Sequence, residues 1–467
     1  MPRNRYHLRK IIYLGIPLFA GSFSQYLLQI ADTVMVGRLG TEQLAAIAIA
    51  GLFTHILHTF IWPLTTGTMA IASRRYGRQV YDAARLPDTV LPGGAEKTGE
   101  VLSNGFICAF FSACTALIVS FFSRFIISLL SGSTPLVENA LDYILIVRWM
   151  FPFAGISAVI TGFLSAVNRT GPVMTVNIGA NVLNVFFNYI LIFGKAGFPA
   201  MGIKGAAAGT LLAEAAGAAY LIYVLLSDVR LKQYKLFNFA SVKTGLMRDL
   251  LKNAYPPGIQ NIVALSVFLI YEAMVGGLGT VYLAAIHIVF SVFRINKTIV
   301  GGFARAGAIL AGNYLGAGQR DKAGKAVEVC AGVGFAIGLV ILFFILLSPS
   351  FVAGLFTDDP ETLAAAAGAI RFFSVFFFVE VFGYTFEIIF SGIGWGRFVL
   401  FSEFTTNMVF ILAMTWLCLR VLNLGIFWAW MSFALYQAAH AAILTAGWIS
   451  GKWLFIDAES GTGPGTK

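Results

Sequence analysis

The chain has 467 residues, of which 58% are hydrophobic and only 12% are charged, and its formal net charge is +10. Soluble globular domains carry about 25% charged residues, so this chain cannot cover its surface with polar groups, and lipid must be its solvent. The basic excess therefore does not indicate nucleic-acid binding. The cysteines lie in apolar runs without zinc or disulfide spacing, and we find no Walker A motif and no convergent catalytic set. These features argue against a metalloprotein, an ATPase or an enzyme.

The first apolar run starts at Ile11 and continues past residue 30 without a small-residue cleavage site. It predicts a retained membrane helix rather than a signal peptide. Further runs are long enough to cross a bilayer, which takes about 20 helical residues. Prolines within the runs, at Pro17, Pro63, Pro152 and Pro256, indicate kinked or tilted helices. We predict twelve spans, near residues 11–36, 44–72, 101–123, 139–166, 172–194, 203–227, 256–277, 282–312, 327–349, 363–393, 398–419 and 424–450.

Lys and Arg residues alternate between rich and poor connections. Of the 32 basic residues, 22 fall on one side of the predicted topology and five on the other. Basic residues accumulate on the cytoplasmic side of membrane proteins. We therefore expect a multi-pass protein of the inner membrane with both termini in the cytoplasm, which requires an even number of spans.

The chain also repeats itself. Gly77 and Gly316 lie 239 residues apart, in the same register as the matched segments around the first and seventh spans. Ser165 and Ser391 match at an offset of 226, so the first half carries extra residues, which we place in an irregular cytoplasmic loop at 78–100. Because both halves start on the same membrane side, parallel repeats are predicted. The matched segments are Pro17, Met35–Gly37, Leu39–Thr41 and Ala45–Ala46 with Pro256, Met274–Gly276, Leu278–Thr280 and Ala284–Ala285.

These patterns predict an all-α polytopic membrane protein with twelve transmembrane helices in two parallel six-helix repeats. The predicted divisions are an N-terminal lobe at 1–227, a cytoplasmic linker at 228–255, a C-terminal lobe at 256–452 and a disordered tail at 453–467. The end of the tail is Gly-rich and polar, which is typical of disordered segments.

Asp32 places a charge deep within the first span, where polar groups are costly and face a cavity or a partner. It either binds Na⁺ or a proton during transport, or it is a structural hydrogen-bonding residue near the outer end of the helix. Span five carries Asn177, Asn181, Asn184 and Asn188, whose spacing puts them on one helix face. This Asn face either joins helices or supplies neutral oxygens to a cation held by Asp32.

The second half holds three basic residues within one span. Arg294, Lys297 and Arg305 all fall in span eight, and each is costly there without a partner. Carboxylates in neighbouring spans are the natural partners. The pairs either only join helices, or this half contacts an anionic substrate group or relays protons. The intramembrane acids of this half are Glu272, Glu380, Glu387 and Glu403.

An ordered set of short motifs runs through both halves. It comprises Pro17, Ala31–Gly40, Leu44–Ala46, Asn184, Asn188–Gly194, Gly202–Ala207, Leu278–Thr280 and Leu283–Ala285. Together with the internal repeat, this set resembles the multidrug and toxic compound extrusion (MATE) family over nearly the whole chain. Among its branches the chain is most similar to the DNA-damage-inducible (DinF-like) one.

The resemblance implies two six-helix lobes around a central cavity that opens alternately to the two sides, with no cofactor. It also implies export of organic, often cationic, compounds against H⁺ or Na⁺ influx. Asp32 matches the first-helix Asp of the DNA-damage-inducible branch, Asn184 matches a nearby Asn, and Thr210 matches a Thr on the sixth helix. Asn188 stands where close relatives have a second Asp, which favours a proton over Na⁺. Glu380 matches the tenth-helix acid of the branch typified by norfloxacin exporters.

We therefore predict a secondary active transporter that exports small organic, amphipathic or cationic compounds by H⁺ or Na⁺ antiport. We expect a monomer in the lipid bilayer with no nucleic-acid or nucleotide partner and no metal apart from Na⁺ at Asp32. The alternative is a flippase of the same superfamily for lipid-linked oligosaccharides or another anionic substrate, which the basic residues of span eight favour. The predicted ion-coupling residues are Asp32, Asn184, Asn188, Thr210 and Glu380, and the predicted substrate-cavity residues are Glu272, Arg294 and Lys297.

Overall fold

A computed structural model describes residues 2–85, 94–130, 133–238 and 242–459, and within these residues the chain is helical and contains no β-strand. Long apolar runs form helices because lipid leaves backbone N–H and C=O groups no other hydrogen-bond partners. The helices group into twelve segments. They are α1 (Pro2–Gly37), α2 (Thr41–His58 and Leu64–Arg85), α3 (Gly94–Ser120), α4 (Thr134–Ala166), α5 (Thr170–Phe193), α6 (Ile203–Ser227), α7 (Thr244–Gly276), α8 (Thr280–Gly316), α9 (Arg320–Leu347), α10 (Pro360–Ser374 and Phe377–Gly392), α11 (Gly396–Val421) and α12 (Ile426–Ile449).

Most of these segments have the length and composition of a membrane span. Among the described residues, nine helices are long and apolar enough to cross a membrane, or ten when the two parts of α10, bent by 64°, count as one span. The broken helix α2 and the last helix, α12, occupy the places of the two remaining spans in the repeat, which gives the predicted total of twelve. Short helices at Ser123–Leu130 and Pro349–Gly354 follow α3 and α9 and so occupy matching places in the two halves.

The two halves have the same turns at matched positions. Gly40 and Gly279 precede the second helix of each half with φ of +117° and +137°, a conformation that glycine adopts without steric cost. Before the fifth helix of the first half, the amide of Arg169 donates to the carbonyl of Leu164 at 2.8 Å. The amide of Trp395 makes the equivalent bond, 2.7 Å long, in the second half. The predicted all-α fold with its internal repeat is thus confirmed.

The lobes meet along α1, α2, α7 and α8. A Cβ added to Gly77 of α2 would overlap the backbone carbonyl of Asn313 in α8, and one added to Gly316 of α8 would overlap the carbonyl of Arg74 in α2. The two contacts are equivalent under the repeat. Small residues let helix backbones approach closely, which is how helices associate in lipid. The lobes are therefore in backbone contact at this end of the molecule.

Residues 453–459, the first part of the predicted disordered tail, are ordered. Trp453 is 1% exposed, the carbonyl of Ile456 accepts a hydrogen bond from Arg74 at 2.6 Å, and that of Ala458 accepts one from Asn253 at 2.8 Å. The prediction was wrong for residues 453–459 because side chains distant in the sequence bind the carbonyls of this segment. Residues 460–467 lie outside the described part of the chain.

Two predicted connections are largely helical. α7 begins at Thr244, so residues 244–255 of the predicted linker belong to a helix that continues into the membrane. α2 extends to Arg85 and α3 begins at Gly94, so most of the predicted irregular loop at 78–100 is also helix, and residues 86–93 are not described. Hydropathy marks where a helix leaves lipid, whereas its backbone hydrogen bonds continue into polar sequence.

Candidate ion-coupling and substrate site

Half of the Asn face of α5 joins this helix to α1. Nδ2 of Asn181 donates to Oγ of Ser24 at 2.7 Å. Asn177 packs against Gly21, where an added Cβ would lie 2.7 Å from Asn177 Nδ2. Hydrogen bonds between membrane helices contribute about 0.6 kcal/mol each on average. Asn177 and Asn181 therefore have the structural role that was one of the two interpretations of this face.

The other two Asn residues lead to Asp32. Nδ2 of Asn188 donates to Oδ1 of Asp32 at 2.9 Å and to Oδ1 of Asn184 at 2.8 Å. Nδ2 of Asn184 donates in turn to Oγ1 of Thr210 at 3.2 Å, and this hydroxyl donates to the carbonyl of Ala206 at 3.0 Å. Four residues singled out from the sequence thus form one hydrogen-bonded chain across α1, α5 and α6.

Asp32 has amide rather than cationic neighbours. None of the ion pairs in the described part of the chain includes its carboxylate, which is partly exposed. Asn188 is 1% exposed, and its Oδ1 lies against Gly209, where none of the described residues donates a hydrogen bond to it. The described residues contain no group of three or more His, Cys, Asp or Glu side chains suited to a metal ion. The arrangement suits a ligand that a single carboxylate can neutralise, such as a proton or a monovalent cation.

Lys297 forms the ion pair predicted for the second lobe. Its Nζ lies 3.3 Å from Oε1 of Glu380 in α10 and 5.4 Å from the ring centroid of Tyr384. Glu380 is 6% exposed, whereas the Lys297 side chain is half-buried, at 44% exposure. Pairing offsets the free-energy cost of placing both charges in the protein interior.

The other two basic residues of α8 have different surroundings. Nη1 of Arg305 donates to Oγ of Ser22 at 3.1 Å and so joins α8 to α1 across the lobes. Arg294 is exposed and has no ion pair within the described residues. Glu272, one of the acids available to the basic residues of α8, lies 3.3 Å from Nδ1 of His287. Within the described residues Arg294 and Glu272 form no ion pair with each other, and the role of both at a substrate cavity stays a prediction.

One convergence of polar groups was missed in the sequence. Glu387 of α10, Glu403 of α11 and His440 of α12 meet in the second lobe. The two acids were identified in the sequence as charges within spans. His440, by contrast, has no other candidate residue at helical spacing from it. No local pattern links residues on three different helices. The sequence indicated only that all three residues lie within spans, where a polar side chain usually pairs with another polar group.

The sequence profile of the MatE family matches residues 17–86, 93–190 and 256–417 of this chain. The chain belongs to the MatE family. Members of this family are membrane transporters rather than enzymes, so the resemblance seen in the sequence is confirmed. Assignment of this MatE protein to the DNA-damage-inducible branch stays a prediction.

Curated relatives cover most of the MatE chain. It is 24% identical over 449 residues to the probable multidrug resistance protein NorM of Agrobacterium fabrum, which covers 95% of this chain and 94% of that protein. It is 28% identical over 373 residues to the probable multidrug resistance protein NorM of Rhizobium meliloti, which covers 78% of this chain and 76% of the relative.

Solved structures share the fold of the MatE protein. A MOP superfamily transporter from Pyrococcus furiosus, described as having a binding pocket of reverse polarity that suggests a different function, matches with a TM-score of 0.82, 21% identity and 97% coverage of both chains. A multidrug resistance MATE family transporter in an outward-facing conformation matches with a TM-score of 0.81, 22% identity and 95% coverage of both chains. At these identities the likeness supports the two-repeat fold alone.

Replacing Lys297 with Met in this MatE protein is expected to destabilise the second lobe by about 3 kcal/mol, because it leaves the buried Glu380 without its cation. Adding Glu380→Gln should restore most of the stability. Thermal unfolding of the purified variants measures both effects. The control is Lys204→Met, whose 3.3 Å pair with Asp142 is exposed and contributes at most about 1 kcal/mol. Equal stability of the Lys297→Met and Lys204→Met proteins would contradict a stabilising role for the buried pair.

Proposed function

We propose that this MatE protein exports small organic compounds, amphipathic or cationic, by H⁺ or Na⁺ antiport with alternating access. The observation that carries the proposal is the carboxylate of Asp32, which lies within α1, has no cationic partner among the described residues and accepts a hydrogen bond from Asn188 of α5. A negative charge in this position attracts a cation. Relatives named as multidrug resistance proteins support the class of exported compound.

Competition for one carboxylate is sufficient for exchange. With a proton or Na⁺ bound, Asp32 is neutral and has little attraction for an organic cation. With the ion released, the charge favours the cation, so that binding one ligand weakens binding of the other. Opening to the other side exposes the same carboxylate to a different ion concentration and reverses the preference.

A proton is favoured over Na⁺ as the coupling ion. Asn188 turns its N–H groups toward Asp32 and Asn184, and its oxygen toward Gly209. Na⁺ is a hard cation that prefers oxygen ligands, so this amide must turn over before it can coordinate the ion beside Asp32. A proton needs only the carboxylate.

α1 connects this site to the lobe interface. Pro17, which lies 15 residues before Asp32, interrupts the hydrogen-bond ladder inside the helix and provides a point of bending. On the other side of α1, Ser22 accepts from Arg305, and the rings of Phe19 and Phe303 stack with centroids 6.4 Å apart. A change in the charge of Asp32 that bends α1 therefore also acts on α8 of the opposite lobe.

We place the protein in the inner membrane with both termini in the cytoplasm. The excess of Lys and Arg on one side supports this orientation. The hydroxyl of Tyr314, near the end of α8, lies 3.5 Å from Nδ1 of His7, and Arg74 binds Ile456, which is consistent with both termini at one end of the molecule. In this orientation the backbone contact between the lobes closes the cytoplasmic end.

A flippase for an anionic substrate is the second candidate, and the exposed Arg294 is the observation in its favour. The other two basic residues of α8 are engaged, Lys297 with Glu380 and Arg305 with Ser22, which leaves little positive charge for a pyrophosphate group. The balance therefore supports export of organic cations.

Transport by purified protein in proteoliposomes tests the proposal. An imposed inward-directed proton or Na⁺ gradient should drive fluorescent organic cations in the opposite direction, faster than in protein-free liposomes. Collapse of the gradient with an ionophore should stop this movement. A panel that includes anionic dyes and lipid-linked pyrophosphates separates the two candidates. Movement of the anionic compounds alone, or movement independent of both gradients, would contradict cation antiport.

A further inference from the structure

In the second lobe an imidazole bridges two carboxylates. Nε2 of His440 lies 3.3 Å from Oε2 of Glu403 and 3.7 Å from Oε2 of Glu387. On the opposite side of the ring, Nδ1 lies 3.0 Å from Oγ of Ser402. Glu403 and His440 are 3% and 5% exposed. Glu387 is less buried, with 23% of its side chain exposed. Glu403 and His440 therefore lie in an interior where an unshared charge is costly.

The outer carboxylate oxygens already have donors. Oε1 of Glu403 accepts from the hydroxyl of Tyr436 at 2.8 Å, and Oε1 of Glu387 accepts from Nε2 of Gln260 at 2.7 Å. By contrast, Oε2 of Glu403 and Nε2 of His440 are buried atoms with no hydrogen-bond partner among the described residues, and they lie 3.3 Å apart. A neutral imidazole carries a single N–H. With that N–H at Nδ1, toward Oγ of Ser402, both Nε2 of His440 and Oε2 of Glu403 present lone pairs and repel, and a proton bound at Nε2 makes the contact favourable.

The charges around the triad also favour a proton. The nearest charged groups of the neighbouring elements are Glu380 of α10 and Lys297 of α8, which pair with each other. The ring of Tyr384 lies against Lys297, and the hydroxyl of Tyr436 donates to Glu403. Arg305 lies further along α8, where it binds the other lobe. Three acids thus lie near one lysine, and when all three are ionised and the imidazole is neutral, two negative charges remain uncompensated.

The backbone of α11 changes at the same place. Its α-helical part ends at Thr406, and a π-helical stretch covers Asn407–Met414. Nδ2 of Asn407, the first residue of this stretch, donates to Oε1 of Glu403 at 3.0 Å. π-helical turns are rare and occur frequently at functional sites. This observation does not depend on the distances within the triad.

We propose that Glu387, Glu403 and His440 form a proton-binding triad in the second lobe, separate from the site at Asp32. The proton comes from water, binds at Nε2 of His440 and is shared with Oε2 of Glu403, and its release returns it to water. Because the triad draws on α10, α11 and α12, a bound proton holds the three helices together and its release lets them separate. The role of the triad in transport rests on the proposed antiport, whereas proton binding by the triad does not.

Infrared difference spectra of the ligand-free protein in lipid test proton binding. Histidine labelled with a heavy nitrogen isotope identifies the imidazole bands. Between about pH 8 and pH 5 we expect a histidine band that titrates, is lost in His440→Gln and shifts in Glu403→Gln and Glu387→Gln. The matched control Glu138→Gln, whose exposed carboxylate lies 2.8 Å from Arg124, should leave the band unchanged. Histidine bands that stay the same in both triad-acid variants overturn the triad, and this comparison does not require the His440 variant to fold.

Transport measurements separate the triad from the first-lobe site. The probe is tetraphenylphosphonium, an organic cation, and a pH-indicating dye counts the protons moved per probe molecule. We expect His440→Gln and Glu403→Gln to lower this ratio, whereas Asp32→Asn abolishes gradient-driven movement. If the number of protons moved per probe molecule is unchanged in both second-lobe variants, the triad has no role in coupling, and the proposed function is unaffected. No gradient-driven movement by the wild type overturns the proposed function and leaves the infrared result standing.

Discussion

Asp32→Asn is expected to reduce gradient-driven export to the level of protein-free liposomes while the protein still folds and inserts. The amide keeps the shape of the side chain and its oxygen can still accept the 2.9 Å hydrogen bond from Asn188. It carries no charge, however, and it cannot exchange a proton or neutralise a cation. Binding of an organic cation should weaken but persist, because the amide keeps shape and hydrogen bonding but lacks the charge that attracts the cation. Efflux of a fluorescent cation under an imposed gradient, together with binding by the same purified protein, measures both outcomes.

Asp142→Asn is the matched control for this experiment. Asp142 lies in the same lobe and pairs with Lys204 at 3.3 Å, but both side chains are exposed, so its loss should change neither stability nor transport appreciably. Size-exclusion chromatography compares the folding of the two variants. Transport by Asp32→Asn at the wild-type rate would show that the first-lobe mechanism is wrong, and Glu380 would become the leading candidate.

Gly77→Ala and Gly316→Ala are each expected to slow export by preventing the lobes from closing at the end that carries the termini. The added methyl group would overlap the backbone of Asn313 or Arg74 in the opposite lobe. Overpacking of this kind costs about 1 to 3 kcal/mol, which changes a two-state equilibrium by about 5-fold to about 150-fold. Spin labels at the exposed positions Arg78 and Lys322, in a background without the native cysteines, should show a longer distance between the lobes.

Gly332→Ala is the control for the glycine contacts. Nothing lies within 4 Å of a Cβ added at this position in α9, so the substitution should leave transport unchanged and stabilise the helix by about 1 kcal/mol. The double variant of Gly77 and Gly316 should shift the distance further than either single change. Wild-type export and an unchanged distance in both single variants would contradict the role of this contact in the transport cycle.

The membrane class, the helix order and the repeat could be predicted because each is encoded locally. An apolar run of about 20 residues spans a bilayer whatever it packs against. Gly40 and Gly279 form the same turn because the same residue stands at the same place in each half. Helical periodicity predicts the Asn face of α5. The family resemblance further implied that this face lies near Asp32.

Only the tertiary structure decided which polar groups meet. The sequence left Lys297 with several candidate acids, and the packing of α8 against α10 places Glu380 at 3.3 Å from it, while Glu272 lies beside His287. His440 carried no signal of its own until three helices brought two carboxylates to its ring. The stability of such contacts depends on the distance and burial of groups far apart in the chain, and a local pattern contains neither quantity.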